Sequence, residues 1–442
     1  MKKTLLTLSI AAVFAVGASA AEFKAGTYTA KAPGIHGDVT VTVTFTKDKI
    51  TDVKVTHSET PGIGSKAAEL LPGRIVERQS PQVDGVTGAT ITSTAIRTAV
   101  ADTVKQAGAD PAALVPLAVK KQAKNETVDT DVVVVGGGGA GMSATIRTRM
   151  NGLNVVLVEK MPFIGGAASI SGGQVVAQGS KLQKAFGVTD DSVESMVKDF
   201  QANGHNLNDL SKLTLYAKNV GPTIDWLHDQ VGVKFIPNDL PFLAEYSHRR
   251  ALEFQGGAGT MAQHLREVIG SNGAKVLFNT RVEKLIVEDG KVTGVEAVDG
   301  NTGTKYTIRA KKTLLTTGGY GNNKNLLTDT YKNTLYYGPV SSTGDGLQMA
   351  QKLGVKTQLL EYGKRYPNGI EVAPGKAKST IYANVGAFDQ AGILVSRDGL
   401  RFVNEKASNR HILDPMLQQK GGMAYVFMDQ KSVSYTHLTL PT

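Results

Sequence analysis

Residues 39–45 alternate between apolar and polar side chains. Val39, Val41 and Val43 are separated by threonines, and this period of two is typical of a strand that buries one face. Asp48 and the lysine after it mark a turn, and apolar positions resume directly beyond it. The pattern predicts an antiparallel hairpin.

The apolar spacing then becomes helical. Residues 64–79 predict one helix, which we expect to break at Pro72 because proline removes a backbone donor. Residues 93–107 predict a second, amphipathic helix. Residues 22–110 therefore indicate a small α+β domain, and the Pro-, Ala- and Lys-rich residues 111–129 indicate a linker.

A different pattern follows the linker. Val132–Val135 is an unbroken apolar β-branched run, as expected for a parallel strand buried on both faces. Residues 140–150 suit a helix, and residues 154–158 (NVVLV) suit a second strand. This order predicts a βαβ unit of the Rossmann type.

Glycines in the first connection of that unit have a chemical meaning. Gly136, Gly138 and Gly141 form G-x-G-x-x-G, and Glu159 follows the second strand. The first glycine permits a tight turn, the second lets a pyrophosphate approach the backbone, and the third lets the helix pack on the strand; the acid accepts ribose hydroxyls. The sequence predicts a dinucleotide site, because strand, glycines, helix, strand and acid in this register argue against a purely structural role.

Later segments also contain strands followed by glycines. Residues 274–323 predict short antiparallel strands with turns at 289–290 and 301–303. Within them, residues 312–321 (KTLLTTGGYG) predict a buried strand that runs into glycines, and Asp345 opens a helix. Glycines after strands and an acid at a helix start suit one extended dinucleotide.

Composition limits the class of protein. The chain has 442 residues, a net charge of +10 and no cysteine, which excludes a disulfide framework, a thiolate metal site and haem attached through C-x-x-C-H. We expect no metal site, and no basic run with aromatic residues suggests nucleic acid. Residues 1–20 have the basic, apolar and small-residue regions of a secretory signal. We therefore expect export to the periplasm or the outer face of the cell envelope.

Three stretches carry a family resemblance. Residues 159–174 (EKMPFIGGAASISGGQ), 316–323 (TTGGYGNN) and 344–350 (GDGLQMA) resemble the flavoprotein family of soluble fumarate reductases and urocanate reductases, and the match covers residues 130–430 in order. The resemblance implies that the dinucleotide is FAD. It also implies a set of FAD-binding residues: Gly136, Gly138, Gly139, Ala140, Gly141, Glu159, Lys160, Gly165, Gly166, Ser171, Gly172, Gly173, Val282, Gly318 and Asp345.

A second resemblance lies near the amino terminus. Residues 84–90 (DGVTGAT) are similar to the flavinylation motif of FMN-binding domains that are often fused to these reductases. This implies that Thr90 carries FMN through a phosphoester installed by a flavin transferase, with Asp84 part of the site. The alternative, compatible with the first, is a Gly-Thr turn that caps the second helix through Thr92 or Ser93.

The resemblance also implies a reaction. A reduced flavin gives hydride to the β-carbon of an activated alkene, and a protein acid protonates the α-carbon. Arg410, after RFVNE, is the implied proton donor, although it lies one residue later than in fumarate reductases, and an arginine on a surface helix is the alternative. Arg401 is expected to be structural. Tyr366 stands where fumarate reductases have a carboxylate-binding histidine, and Asn384 and Val385 stand nearest to an expected Thr-Glu pair. These departures favour urocanate-like or aryl-acrylate substrates over fumarate.

The resulting prediction is an α/β fold: a Rossmann-like FAD-binding domain with an inserted α+β capping domain, preceded by a small α+β FMN-binding domain. The expected boundaries are a signal peptide (1–20), the FMN-binding domain (22–110), a linker (111–129), the FAD-binding domain (130–356), the start of a truncated capping or substrate domain (357–430) and a spurious tail (431–442).

The predicted function is an exported flavin-dependent reductase of an α,β-unsaturated carboxylate, with electrons passing from covalent FMN to FAD to substrate. A separate membrane quinol-linked or flavin-linked donor is expected, since no haem motif is present. Two alternatives stay open: a flavin dehydrogenase acting on a saturated or steroid-like substrate, and a non-catalytic flavin electron carrier.

Overall fold

The computed structural model describes residues 22–86, 88–117, 123–237, 240–243, 245–373 and 375–430. The predicted signal peptide and the predicted tail from residue 431 lie outside the described residues. Within the described ranges, no helix is both long and apolar enough to cross a membrane. These residues form two compact units: the first holds residues of 22–117 apart from 60–63, and the second holds 60–63 and the chain from 123 on.

The first unit is a three-stranded antiparallel sheet with two helices. Its elements are β1 (Gly26–Pro33), β2 (Asp38–Phe45), β3 (Ile50–Thr56), α1 (Gly64–Arg78) and α2 (Thr90–Gln106).

The core of this unit follows from the alternation in the sequence. Val39, Val41, Val43 and Phe45 of β2 are all buried, so the predicted hairpin is confirmed. Helix α1 packs on β3, and α2 packs on β1 and β2.

Two helix predictions in this unit are wrong. Helix α1 runs through Pro72 without a break, because its buried face continues from Leu71 to Ile75 and its packing outweighs one missing hydrogen bond. Helix α2 begins at Thr90, three residues before the predicted start, and ends at Gln106.

The second unit contains the remaining α-helices and strands of the described chain. They are β4 (Asn125–Val135), α3 (Gly139–Met150), β5 (Val155–Val158), β6 (Gln174–Val176), α4 (Lys181–Ala185), α5 (Val193–Asn203), α6 (Leu210–Trp226), β7 (Ala251–Glu253), α7 (Gly257–Ser271), β8 (Lys275–Leu277), β9 (Thr280–Glu288), β10 (Lys291–Asp299), β11 (Lys305–Leu315), α8 (Asp329–Lys332), α9 (Asp345–Gln351), β12 (Ile370–Ala373), β13 (Lys376–Lys378), α10 (Ile381–Asp389), β14 (Ile393–Val395), α11 (Asn409–Leu417) and β15 (Tyr425–Phe427).

A six-stranded sheet in the order β8-β5-β4-β11-β10-β9 organises this unit. The first four strands are parallel, and β10 is antiparallel to both of its neighbours. Val132–Val135 is buried on both faces, as predicted: Val132 and Val134 pack towards α3 and α7, and Val133 and Val135 pack towards the antiparallel strands and α9. The mixed α/β fold class is confirmed.

Two other expectations are corrected. The predicted linker is too long, because residues 125–129 already belong to β4 and pair with residues 305–309 of β11. The carboxyl end of β11 is not buried: Leu314 and Leu315 are each 39% exposed. Leu315 borders the cavity described next, which accounts for its exposure.

Candidate functional site

A cavity of about 350 Å³ opens at the carboxyl ends of β4, β5 and β11. In parallel α/β sheets, this edge is where ligands bind. Ten of the predicted FAD-binding residues lie on its wall: Gly136, Gly138, Gly139, Ala140, Glu159, Lys160, Gly166, Val282, Gly318 and Asp345. Six wall residues that the sequence did not single out are Thr280, Arg281, Thr316, Thr317, Ser341 and Ser342.

The glycines after β4 occupy positions that exclude side chains. Gly136 has φ 99°, and a Cβ there would lie 2.7 Å from the carbonyl oxygen of Thr316. A Cβ at Gly141 would overlap the carbonyl oxygen of Gly136, so only glycine lets α3 pack this closely on the strand end. No atom lies within 4 Å of a Cβ built on Gly138, whose backbone borders the open cavity.

The amino terminus of α3 faces this cavity, and its backbone N–H groups can bind an anion. Its N-cap is Gly138, which has no side chain to accept from the first turn. Gly139 and Ala140 of that turn are on the cavity wall. Free N–H groups and the positive end of the helix dipole favour a phosphate group here.

Glu159 is a buried carboxylate beside that loop. Its side chain is only 7% exposed, and it accepts hydrogen bonds from the N–H of Gly137 at 2.6 Å and the N–H of Met161 at 2.8 Å. Burial raises the pKa of Glu159, and the two backbone donors oppose that rise. The carboxylate thus orders the glycine loop and has lone pairs left for ligand hydroxyls.

A cluster of charges forms another part of the wall. Asp345 pairs with Lys160 at 2.9 Å and with Arg281 at 2.9 Å, and the hydroxyl of Thr343 donates to it at 2.9 Å. Burial alone would raise the pKa of Asp345, but the hydrogen bonds from Arg281 and Lys160 outweigh it and lower the pKa. Asp345 is therefore an ionised clamp that fixes two cations at the cavity.

Five predicted FAD-binding residues are not on the cavity wall: Gly141, Gly165, Ser171, Gly172 and Gly173. Gly165 still contributes to the loop, since its N–H donates to the carbonyl of Gly137 at 2.7 Å.

Gly173 lies farther along the chain, against α7, where a Cβ would lie 3.2 Å from the N of Ala258.

The residues present fit a dinucleotide. The glycine loop and the start of α3 offer backbone donors to a pyrophosphate, and the neighbouring carboxylate of Glu159 suits ribose hydroxyls. Val282 and Met349 are buried and add apolar surface to the same wall.

In the first unit, the predicted modification site is accessible. Thr90 is exposed and is the first residue of α2. The N-cap is Ala89, and among the described residues no side chain caps this helix. The expected capping by Thr92 or Ser93 is therefore wrong, because both are buried inside the helix. The Ser93 hydroxyl instead accepts from the N–H of Val86 at 2.9 Å.

Two arginines, one on each helix of this unit, donate hydrogen bonds to the backbone that precedes Thr90. The guanidinium of Arg74 donates to the carbonyl of Asp84 at 3.2 Å, and that of Arg97 donates to the carbonyl of Val83 at 3.2 Å. The Asp84 residue itself is exposed. The backbone at residues 83–84 is thus held in place, while Asp84 and Thr90 are exposed.

The predicted substrate residues are not on the cavity wall. Arg410, on α11, has a side chain that is 64% exposed, pairs with Asp414 at 3.6 Å and contacts the ring of His205. Tyr366 is 38% exposed, and its ring lies 6.4 Å from that of Tyr337. Asn384 and Val385 are on α10.

No sequence motif marks His205 as part of a site. It follows α5 in a left-handed backbone conformation, with φ 50°, an uncommon conformation for a residue other than glycine.

Arg401, expected to be structural, pairs with the buried carboxylate of Glu405 at 2.7 Å. That carboxylate also accepts from the N–H of Leu394 at 2.7 Å. The pairing ties the segment that precedes α11 to β14 and supports a structural role.

Two family models match the chain. The FAD binding domain matches residues 131–439, and the FMN-binding domain matches residues 34–105. The first match corresponds to the unit with the cavity and the second to the unit with Thr90. FAD and FMN are accordingly the cofactors of these two domains.

Known proteins resemble the chain over most of its length. It is 30% identical to urocanate reductase of Eggerthella lenta over 95% of this chain and 70% of that protein. It is 27% identical to NADH:acrylate oxidoreductase of Vibrio harveyi over 92% of this chain and 47% of that protein. A solved flavocytochrome c3 fumarate reductase in its open conformation has a TM-score of 0.59 and 30% identity over 70% of this chain and 54% of that one.

The chain thus spans about two thirds of the first of these proteins and about half of the other two. The FAD binding domain model matches well over half of the chain, and the urocanate reductase match extends through the FMN-binding domain. This chain therefore belongs to the FAD-dependent flavoprotein family of fumarate and urocanate reductases, in a form fused to an FMN-binding domain.

Proposed function

We propose that this chain is the flavin-bearing part of an exported reductase of α,β-unsaturated carboxylates, in which electrons pass from FMN to FAD and then to the alkene. The observation that carries the proposal is the alignment of both domains, over nine tenths of the chain, with proteins named for the reduction of urocanate and acrylate. The fold alone would suit other flavoenzymes, so the shared pairing of domains is what favours this reaction.

When bound, FAD supplies hydride to the alkene. The residues of this chain would then hold the cofactor: the backbone at Gly138 and Gly139 towards the pyrophosphate, and Glu159 towards a ribose. The clamp of Lys160, Asp345 and Arg281 supports this role, because it holds two cations on the wall of a site for an anionic cofactor.

We propose Thr90 as the site of covalent FMN. Its hydroxyl is exposed at the first position of a helix that no described side chain caps. A phosphoester at that hydroxyl would sit beside free N–H groups and the positive end of the helix dipole, both of which favour an anion. A covalent link also suits a protein outside the cytoplasm, which cannot recover a dissociated flavin. A flavin transferase is the implied partner.

Export is proposed from the sequence of residues 1–20, with its basic start, apolar centre and small-residue end. An exported reductase takes its electrons from a donor at the membrane. We propose a quinol-linked or flavin-linked donor that reduces the FMN.

We keep Arg410 as the proposed proton donor and Tyr366 as the residue that selects the substrate. A guanidinium gives up its proton reluctantly, so proton donation by arginine requires a site that removes it from water. The contact with His205 holds the guanidinium on one side. Tyrosine in place of a carboxylate-binding histidine favours a urocanate-like or aryl-acrylate substrate over fumarate, because an aromatic ring can pack on the Tyr366 ring.

Anaerobic stopped-flow spectroscopy tests the proposal. The chain is co-produced with a flavin transferase, saturated with FAD, reduced with dithionite and mixed with urocanate, cinnamate, acrylate or fumarate. We expect reoxidation of both flavins, faster with urocanate or cinnamate than with fumarate, and none with the saturated acids.

Two outcomes would contradict the proposal. If no enoate reoxidises a protein with full flavin occupancy, the electron-carrier alternative is favoured. If saturated substrates reduce the oxidised protein instead, the chain is a dehydrogenase.

A further inference from the structure

Glu59 is a buried carboxylate in the FMN-binding unit for which the proposed function has no role. It is 4% exposed. It accepts hydrogen bonds from the N–H of Ile35 at 2.8 Å and the N–H of His36 at 3.1 Å, and its other oxygen accepts from the hydroxyl of Thr92.

These donors come from two separate elements. Ile35 and His36 form the turn between β1 and β2, where the N–H of Gly34 donates to the carbonyl of Gly37 at 2.8 Å. Thr92 is in the first turn of α2, two residues beyond Thr90. Because one carboxylate reaches all three donors, Glu59 links the hairpin turn to the first turn of α2, which also carries the proposed flavin attachment site.

The space around the carboxylate is closely fitted. A Cβ at Gly34 would overlap an oxygen of Glu59, and a Cβ at Gly64 would lie 2.9 Å from the hydroxyl oxygen of Thr92. Burying a carboxylate is costly unless its hydrogen bonds are well made. The turn is therefore held in one position against α2 rather than loosely packed.

Apolar side chains are exposed on both joined elements. Ile35 in the hairpin turn is 38% exposed, and Ile91, next to Thr90, is 50% exposed. A flavin ring is a large planar surface that gains from contact with such side chains.

We propose that the Gly34–Gly37 turn forms one wall of the flavin site at Thr90, with Ile35 in contact with the ring, and that Glu59 is the positioning residue that holds this wall in place. The inference rests on the proposed attachment of FMN at Thr90. It adds the surface that shields the ring and the residue that sets its distance from the attachment point.

Four variants of the full chain test this, each co-produced with a flavin transferase. Ile35→Ser removes the contact on an exposed side chain that the fold does not need. Glu59→Gln replaces the charged acceptor by a neutral amide, so that the Thr92 hydroxyl must accept instead of donate, and Thr92→Val removes that hydroxyl. Both variants keep the side-chain shapes. Val115→Ser, which changes another exposed apolar residue of the same unit, is the matched control.

The measurements are the rate of flavin attachment, followed by in-gel fluorescence, and the quenching of the attached flavin by iodide after dialysis has removed non-covalent flavin. We expect Ile35→Ser to raise the quenching constant about twofold or more. Glu59→Gln and Thr92→Val should slow attachment about tenfold and raise quenching, and the double variant should be no worse than either single one. Val115→Ser should match wild type.

The controls separate three failures. A merely structural Glu59 would lower the melting temperature and leave the attachment rate and quenching of the folded protein unchanged, which would overturn the inference. The inference would also be overturned if the flavin attached at Thr90 is quenched by iodide equally in Ile35→Ser and in wild type. This result does not depend on the folding of the Glu59 variants. Wild-type protein without attached flavin would instead refute the Thr90 assignment and this inference with it.

Discussion

Glu159→Gln tests the assignment of the ribose-binding acid most directly. The substitution keeps the shape of the side chain and exchanges one oxygen for an amide NH₂. In the wild type, the two carboxylate oxygens each accept one backbone N–H, from Gly137 and Met161. In the variant, the NH₂ group must face one of these donors, so that donor loses its partner.

The magnitude follows from these contacts. A charge-assisted hydrogen bond contributes about 1.5–3 kcal/mol and a neutral one about 0.5–1.5 kcal/mol. The binding free energy of FAD would thus weaken by about 1–3 kcal/mol when two ribose hydroxyls bind an amide instead of a carboxylate. This raises the FAD Kd roughly 5- to 150-fold. The effect on folding should be smaller than the contacts suggest, because burial raises the pKa of Glu159 and the amide avoids the cost of a buried charge.

Isothermal titration of the dialysed full chain with FAD measures this change. The matched control is Asp131→Asn, which changes a carboxylate on the neighbouring β4 strand that also accepts a backbone N–H, from Asn154 at 2.9 Å, and pairs with Lys311 at 2.8 Å. Asp131 is not on the cavity wall. Its variant should bind FAD with the wild-type Kd.

Equal FAD affinity of wild type and Glu159→Gln, within twofold, would refute the reasoning. The carboxylate would then serve only to order the glycine loop. An equal loss of FAD affinity in Asp131→Asn would show instead that removing any carboxylate from this sheet weakens FAD binding.

Three further predictions concern other sites. Thr90→Val should abolish flavin fluorescence in denaturing gels and leave FAD binding intact, since the two flavins belong to different domains; persistent fluorescence would rule out Thr90. Arg410→Ala should lower the rate of alkene reduction by about 10²–10⁴-fold with both flavins still reducible. The control Arg401→Ala should mainly lower the melting temperature, because it leaves the buried carboxylate of Glu405 without its arginine. Near-normal turnover in Arg410→Ala would place the donor elsewhere. Because the pKa of Asp345 is lowered in the folded protein, its stabilising effect is fully present above the ordinary carboxyl pKa of about 4 and is lost as the pH falls through the lowered value. The melting temperatures of wild type and Asp345→Asn should therefore begin to converge below about pH 4 and meet only below that lowered pKa. A constant difference would show that the clamp does not titrate.

Local pattern was enough to predict the βαβ unit. The period of two in β2, the apolar run of β4 and the glycines after it each depend on near neighbours in the chain, and the structure has all three. The family resemblance then supplied Val282 and Asp345, which reach the same cavity from distant segments.

Contacts between distant segments were missed for a physical reason. Arg281 reaches the cavity only because β9 pairs at the edge of the sheet, and nothing in its own neighbourhood marks it. Glu59 depends on a turn more than twenty residues earlier and a helix more than thirty residues later. The helix through Pro72 shows the same limit, because burial against the sheet outweighed a local signal.

The poor N-cap of α2 has a consequence for maturation. Ala89 at this position is among the weakest capping residues, and a better cap would stabilise the helix by about 1 kcal/mol. A phosphoester on Thr90 would supply the missing acceptor, so cofactor attachment and helix stability are thermodynamically linked. Amide hydrogen exchange at residues 90–92 should therefore slow once the chain is flavinylated, and the unmodified protein would present a fraying helix end to the transferase that modifies it.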